Sequence, residues 1–535
     1  MLRLTCLAGL LLLAGGCARR DPTAATGARA GILHVGNGAE IQSLDPHLAG
    51  GSVDHNVLST LFEGLLTLDE ETLAPRPGAA ERWEVSADGL TYTFHLRRNG
   101  RWSNGDPLTA RDFLLSFRRA LSPGFASEYR DALYPVRGAE AFAKGRVADF
   151  AETGFAAPDD HTLVITLAQP AAYFPTVLRA NVCFPVHSPS VLRGGAALED
   201  RTGRWTDMRP FVGNGPFRLV EWREQRHLEV ERNPHYWDAD RVRLKGIRFH
   251  PAESTQAQEL AFRAGQLHTT WDVPLAKVAA YRRDSPELLR VEPYFESYFI
   301  RFNTRHPVLR DARVRRALAL AIDREAISRA VFQGTRAAAS SFTPPDCGGY
   351  NARARITTDV DAARALLAEA GFPAGRGLPV FPVQVQNDST YPRIMEAIQA
   401  MWLKELGVRS TIEPFEQKTW VQNQQSKQHV IGLMGWTGDY PDPLTFLGLF
   451  RGDGGNNWTG WASAAYDQLI TETERTADAA QRLELFQRAE ALLLQEVPVT
   501  PLVFGSRTYL IHPSVRGWEP SPLGLHRFQL IELRD

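Results

Sequence analysis

The chain has 535 residues, too many for one ordinary hydrophobic core, so two or three lobes are expected. Hydrophobic residues at 44% and charged residues at 23% fit a soluble globular protein, and a formal net charge of −1 lacks the basic excess of a nucleic-acid binder. Lys is scarce, and the Arg residues that carry the positive charge are scattered rather than clustered.

Met1-Leu-Arg3 is a short basic start, and Leu4 to Leu13 is an apolar run too short to span a bilayer as a mature helix. Ala14-Gly15-Gly16-Cys17 then resembles a lipobox, which predicts cleavage before Cys17 and acylation of its thiol. Ala14 stands where Leu is usual, and ordinary signal cleavage nearby is the competing outcome. Residues 18–31 read as a flexible polar tether. This leader predicts a lipid-anchored protein in the periplasm or on the outer face of the cytoplasmic membrane. Beyond Cys6 and Cys17 only Cys183 and Cys347 remain, and no pair has zinc-like spacing. Two unpaired thiols are expected.

Ile32 to Gly36 reads as a buried strand. Val57, Leu58, Leu61, Phe62 and Leu65 recur at helical spacing. Thr91 to Leu96 and His161 to Leu167 alternate as strands do, and Ala110 to Leu121 is amphipathic. Strands are predicted at 217–220 and 228–231, and a helix over 255–264 stopping at Gly265. Residues 314–332 read as one long helix, followed by helices over 359–370 and 394–406 with a strand near 380–385 between them. Helices over 464–475 and 479–496 lead into a strand at 499–504. Helices alternating with strands argue for α/β lobes.

Catalytic signatures are missing: there is no G-x-S-x-G elbow, no H-E-x-x-H and no Walker A motif. The 14 His are dispersed without metal-ligand spacing, so neither metal nor cofactor is expected. Asp and Glu are plentiful enough that a paired-carboxylate hydrolase stays open. Binding is the better expectation.

A series of segments carries a resemblance. Glu40 to His47 precedes Leu61-Phe-Glu-Gly-Leu65, and Gly89 to Arg97 leads to Trp102 to Phe113. Gly213-Asn-Gly-Pro-Phe217, Arg232 to Trp237, Phe302-Asn-Thr304, Asp311 to Arg315 and Ala321 to Arg324 follow, then Leu366 to Gly371 and Gly435 to Pro443. In this order they resemble the peptide/nickel-type solute-binding family of ABC importers, especially its oligopeptide- and dipeptide-binding members. The resemblance implies an α/β, multi-lobed periplasmic-binding-protein clamshell of the type II kind with an extra inserted lobe. Lobe I would combine 32–64, 189–294 and 507–535, lobe II would be 65–188, and lobe III 295–506. Its partners would be short peptides and a separate permease and ATPase, with the binder itself a monomer.

The resemblance also implies site residues. Asp439, in Gly435-Trp436-Thr437-Gly438-Asp439, matches the Asp that pairs with a peptide's α-amino group. An Asp capping a local turn with Gly438 is the competing role. Gly50, Gly51 and Ser52 fall along the peptide, with 433–437 opposite as strand-like backbone. Tyr129, Tyr294, Tyr298 and Trp436 match or neighbour pocket aromatics, and each fits an ordinary core position equally well. The chain departs from enteric members at Gln424 and Leu433, where Arg residues help hold the peptide carboxylate, and Arg393 is a substitute. A disulfide of those members maps to Glu296 and Thr437 and is therefore absent. Other solutes in the same fold (a nickel chelate, an oligosaccharide, an opine-like compound) and an exported hydrolase are the alternatives. Asp442-Pro443 before Leu444 reads as a helix start, not a ligand contact.

Overall fold

A computed structural model describes residues 23–193, 196–207, 210–387, 390–452 and 454–534. Cys17 and the segment before it lie outside the described residues, as do positions 18–22 of the expected tether. The rest of that tether differs from expectation: Thr23–Ala30 is a helix. Buried Ala24 donates its N–H to the Gly265 carbonyl at 2.7 Å, and Gly27 lies so close to His34 that a Cβ there would come within 2.6 Å of the ring. Among the described residues no helix is long and apolar enough to cross a membrane.

Three sheet-centred bodies make up the molecule. The first has four strands in the order Ile32–Gly36, Gly246–His250, His227–Arg232, Phe217–Arg223, with the first pair parallel and the others antiparallel. Leu33, Val35, Ile247, Phe249, Leu228 and Val230 alternate onto one face and meet Val57, Leu58 and Leu61 of helix Ser52–Leu61. The second body is an antiparallel sheet of Ala80–Val85, Thr91–Leu96, Thr162–Thr166 and Phe155–Asp159. Helix Ala110–Leu121 covers it. A capping box starts that helix: Asp112 Oδ2 accepts from the Thr109 N–H at 2.8 Å, and the Thr109 side chain caps the Asp112 N–H in return. Phe113, Phe117 and Leu121 then recur on its buried stripe.

The third body holds a five-stranded sheet in the order Ser410–Phe415, Phe381–Gln386, Ile431–Thr437, Leu289–Phe302, Val499–Leu510. Both faces are covered, and the pleat explains how. Tyr298, Ile300 and Phe302 point into one apolar layer with Ile431 and Leu433. Phe295 and Phe299 point into the opposite layer with Met434 and Trp436. Glu296 and Thr437, the two positions to which the resemblance maps a disulfide, are cross-strand neighbours. Cys183 lies in the second body's core and Cys347 in this one; both are buried and free.

Two elements differ from the sequence-based expectation. The helix expected over 314–332 is two helices, Ala312–Leu320 and Arg324–Phe332. Asp323 restarts the chain by accepting the Ala326 N–H at 2.9 Å. The strand expected at 499–504 runs on to Leu510, and Leu289–Phe302 pairs along it. Their register breaks between Pro293 and Ser297, where Gly505 lies against Glu296 so closely that a Cβ would come within 2.5 Å of the Glu296 Cβ. Beyond the break, Leu510 bonds Thr270 and Tyr509 enters the first body's core. The same two strands therefore serve both bodies.

The first and second bodies are locked more tightly. Asp45 and Arg119 form an ion pair at 2.6 Å with both side chains fully buried. Ser127 Oγ donates to the His47 carbonyl at 2.7 Å. The Ser103 N–H donates to the Gly213 carbonyl at 2.8 Å.

Candidate functional site

A cleft of about 670 Å³ lies where the three bodies meet. One wall is the loop 49–52 with His55, a second is 128–135 and 173–182, and the third is Tyr294 with 436–440. Each wall follows from local sequence. Gly51 has φ 90, which favours glycine, and starts helix Ser52–Leu61. Gly50 packs against Tyr129 so closely that a Cβ would come within 2.0 Å of the ring. Tyr129 is nonetheless 47% exposed, because its other side faces the open cleft.

The third wall is built by the end of strand Ile431–Thr437. That strand pairs with Leu289–Phe302 along its length, but with Phe381–Gln386 only at Ile431 and Gly432. From 433 to 437, no strand among the described residues pairs with the edge on that side. The Gly435 N–H donates instead to Tyr391 Oη at 3.1 Å. Trp436 is pinned by its Nε1–H on the Thr445 carbonyl at 2.9 Å. Gly438 lets the chain turn against Phe446, whose ring would lie 2.9 Å from a Cβ. The Asp439 N–H then donates to Thr445 Oγ1 at 3.0 Å.

These contacts hold the Asp439 carboxylate at the cleft, and no Lys, Arg or His among the described residues forms a salt bridge with it within 4.0 Å. Burial pushes its carboxyl above the ordinary value, against the pull of the Arg179 guanidinium. Arg179 comes from the second wall and donates through Nη2 to the Asp439 backbone carbonyl at 2.9 Å. Burial lowers the Arg179 guanidinium to about 10, so it stays charged at neutral pH. Glu128 and Asp131 line the same cleft from exposed positions. Tyr173 and Tyr440 stack across it with centroids 4.8 Å apart.

Of the residues expected from sequence, Gly50, Gly51, Ser52, Tyr129, Tyr294, Trp436, Thr437 and Asp439 line this cleft together. Gly435, Tyr298 and Arg393 do not. Gly435 sits one step behind, against Glu296, Tyr298 and Tyr391. Tyr298 is buried under Arg336, whose guanidinium lies 4.2 Å from its ring centroid. Arg393 is exposed, off the cleft lining, on helix Tyr391–Leu406. Gln424 and Leu433 are fully buried, and Gln424 Oε1 accepts from Arg301 at 3.1 Å. Asp442 accepts the Leu444 N–H at 3.0 Å and pairs with Arg482, so it serves the helix start as expected, although Pro443 is the capping residue and Leu444 the first helical one. Sequence reasoning missed Arg179, Asp131, His55 and Tyr440, none of which sits in a pattern distinguishable from ordinary surface or core. A trio of possible metal ligands, Glu221, His227 and Glu229, comes together on the first body's sheet. Arg223 and Arg248 already pair with its carboxylates.

Comparison with known proteins fits this geometry. The model of bacterial extracellular solute-binding proteins, family 5 middle, matches residues 74–458. The oligopeptide-binding protein OppA of Bacillus subtilis is 32% identical over 499 residues, covering 91% of this chain and 89% of that protein. The periplasmic oligopeptide-binding protein OppA of Salmonella typhimurium is 33% identical over 495 residues, covering 90% and 88%. The solved structure of the periplasmic murein tripeptide binding protein MppA, in its unliganded open form, superimposes with a TM-score of 0.81 at 28% identity, covering 94% and 97%. The fold is the multi-lobed clamshell of such proteins, and the chain belongs to the bacterial extracellular solute-binding proteins of family 5.

Proposed function

We propose that the protein captures short peptides with a free amino terminus outside the cytoplasmic membrane and hands them to an ABC importer. The observation that carries this is the solvent-facing Asp439 carboxylate at the cleft, at the end of a strand edge, with no cation in a salt bridge with it among the described residues. A peptide laid along the cleft-lining end of this strand, at 436–437, gains main-chain hydrogen bonds without its side chains being read. Its ammonium then meets Asp439, and an ammonium leaving water needs such an anion. Oligopeptide binding by OppA proteins supports the same ligand class. The protein binds rather than cleaves, works as a monomer, and relies on permease and ATPase chains of its own system.

In this reading lobe I comprises 32–64, 189–294 and 507–535, lobe II 65–188, and lobe III 295–506. The boundaries at 294 and 506 fall inside the two long strands, at their register break. The lobes close there, since few other backbone connections would have to move. Lobes I and II move together, held by the Asp45–Arg119 pair.

Native mass spectrometry of the protein mixed with trialanine tests the binding claim. One intact peptide per chain is expected. Cleavage products would turn the protein into a hydrolase, and the lack of any adduct would remove the peptide assignment. The anchor has its own test. Cys17→Ser should move the protein from the membrane fraction to the soluble extracytoplasmic fraction, and mature parent protein without acyl mass would refute the anchor.

A further inference from the structure

The inner end of the cleft holds two opposite charges, and a peptide's amino terminus uses only one of them. Asp439 and Arg179 line the same cavity. The Arg179 guanidinium rests on the backbone carbonyl of Asp439 at 2.9 Å, so it stands beside the carboxylate that would take the ammonium. Yet no Asp or Glu among the described residues forms a salt bridge with Arg179 within 4.0 Å. Its Nε is enclosed and bonds to nothing. Neighbouring groups do not supply the missing anion. The Cys183 thiol is pushed up to about 12 by burial, so it is no thiolate. The His55 ring accepts or donates only at Asn181, 2.7 Å away, and burial with the nearby Arg179 charge lowers it to about 4. The nearest anion to this half-buried guanidinium is the Asp439 carboxylate, and an incoming ammonium would take up that carboxylate and add a second positive charge beside Arg179.

We infer that Arg179 receives a carboxylate from the side chain of the peptide's first residue, so that the cleft favours peptides beginning with Asp or Glu. This rests on the peptide reading above. In such a residue the α-ammonium and the side-chain carboxylate lie roughly 3–5 Å apart, from ordinary bond lengths. One residue can therefore reach Asp439 with one charge and the adjacent guanidinium with the other. Arg suits the role, because its planar donors match a carboxylate with two parallel hydrogen bonds. Glu128 and Asp131 would oppose an acidic peptide. Both are exposed to solvent, as Asp439 is, so water and salt weaken their repulsion, whereas the Arg179 Nε is enclosed and unbonded. The unbonded Arg179 donor decides the first subsite.

Calorimetry with Glu-Ala-Ala, Gln-Ala-Ala and Ala-Ala-Ala tests this on the parent protein, Arg179→Gln and Arg179→Lys. The parent should bind Glu-Ala-Ala about tenfold tighter than Gln-Ala-Ala, the usual scale for one charge-assisted hydrogen-bonded contact. That ratio should fall to about one in Arg179→Gln and recover in part in Arg179→Lys. Equal affinity for the two peptides in the parent overturns the inference without any variant, and so does a ratio that survives in Arg179→Gln. If Ala-Ala-Ala binds while Glu and Gln are not distinguished, the inference alone falls. If no peptide binds, the peptide reading falls with it.

Discussion

Asp45→Ala should lower the free energy of unfolding by about 3–5 kcal/mol, the cost of stranding one member of a buried ion pair. Asp45 and Arg119 are both fully buried, with Arg119 Nη2 at 2.6 Å and Nη1 at 2.9 Å from the two carboxylate oxygens. Trp205 Nε1 and the His47 N–H complete the carboxylate's shell at 2.9 and 3.0 Å. Arg119 spends its other donor capacity on the Leu198 and Asp200 carbonyls and on His47 Nδ1. Burial and then the Arg119 charge push the His47 ring down to about 4, so it is neutral and Nδ1 can accept. Every polar group is satisfied, and removing the carboxylate leaves a guanidinium, an indole N–H and a backbone N–H without it. Asp45→Leu with Arg119→Met should recover much of the loss, because the stranded cation goes too. Urea unfolding of the parent, the single and the double variant decides this. A single variant within about 1 kcal/mol of the parent, the scale of an exposed pair, would refute the claim that the pair locks the second body onto the first.

The same pair predicts a pH response. Burial by itself would raise the Asp45 carboxyl, but the Arg119 charge and the hydrogen bonds from Arg119 and Trp205 outweigh it and hold the carboxyl below its ordinary value. A carboxylate with a depressed folded pKa contributes stability above its unfolded value, about 3.9, and loses it as pH falls further through the folded value. Acid unfolding of the first and second bodies should therefore become less steep below about pH 4 in the double variant.

Local pattern made much of this architecture legible. Ala110–Leu121, Ala464–Arg475 and Ala479–Glu496 begin and end where their caps and apolar stripes place them. The two long strands were not legible, because Leu289–Phe302 is buried alternately on two faces and broken by Pro293 in sequence. Periodicity also ran through Asp323, where a cap inside an apolar stripe splits one expected helix into two. At the site, the Gly435 to Asp439 motif and the 50–52 loop were visible through family resemblance. Arg179 was not, since its role depends on a carbonyl 260 residues away in sequence. Family resemblance put Tyr298 at or beside a pocket aromatic and Arg393 near a carboxylate contact, but one turns to the core beside Arg336 and the other to solvent.

Asp439→Ala should weaken a good peptide by roughly thirty-fold or more, since truncating one partner of a desolvated ion pair costs about 2–5 kcal/mol. The Asp439 backbone is fixed through its own N–H on Thr445 Oγ1 and its own carbonyl on Arg179, and both backbone groups remain after the substitution, so the fold should persist. Acetylating the peptide's amino group removes the other partner and should cost the parent protein a similar amount. It strands the Asp439 carboxylate, which burial already pushes toward its protonated form. Protonation limits the penalty and makes it pH-dependent. Below the raised folded value, the acetylated peptide should lose less relative to the free one. Acetylated peptide with Asp439→Ala should bind better than the sum of the two losses allows, because both changes break one interaction. Calorimetry on the four combinations, at neutral pH and at stepwise lower pH, measures that coupling. A coupling within about 0.5 kcal/mol of zero would mean that the two groups do not meet. Asp439 would then be a turn residue beside Gly438, and the ammonium would have to be held elsewhere in the cleft, with Asp131 the next carboxylate that lines it.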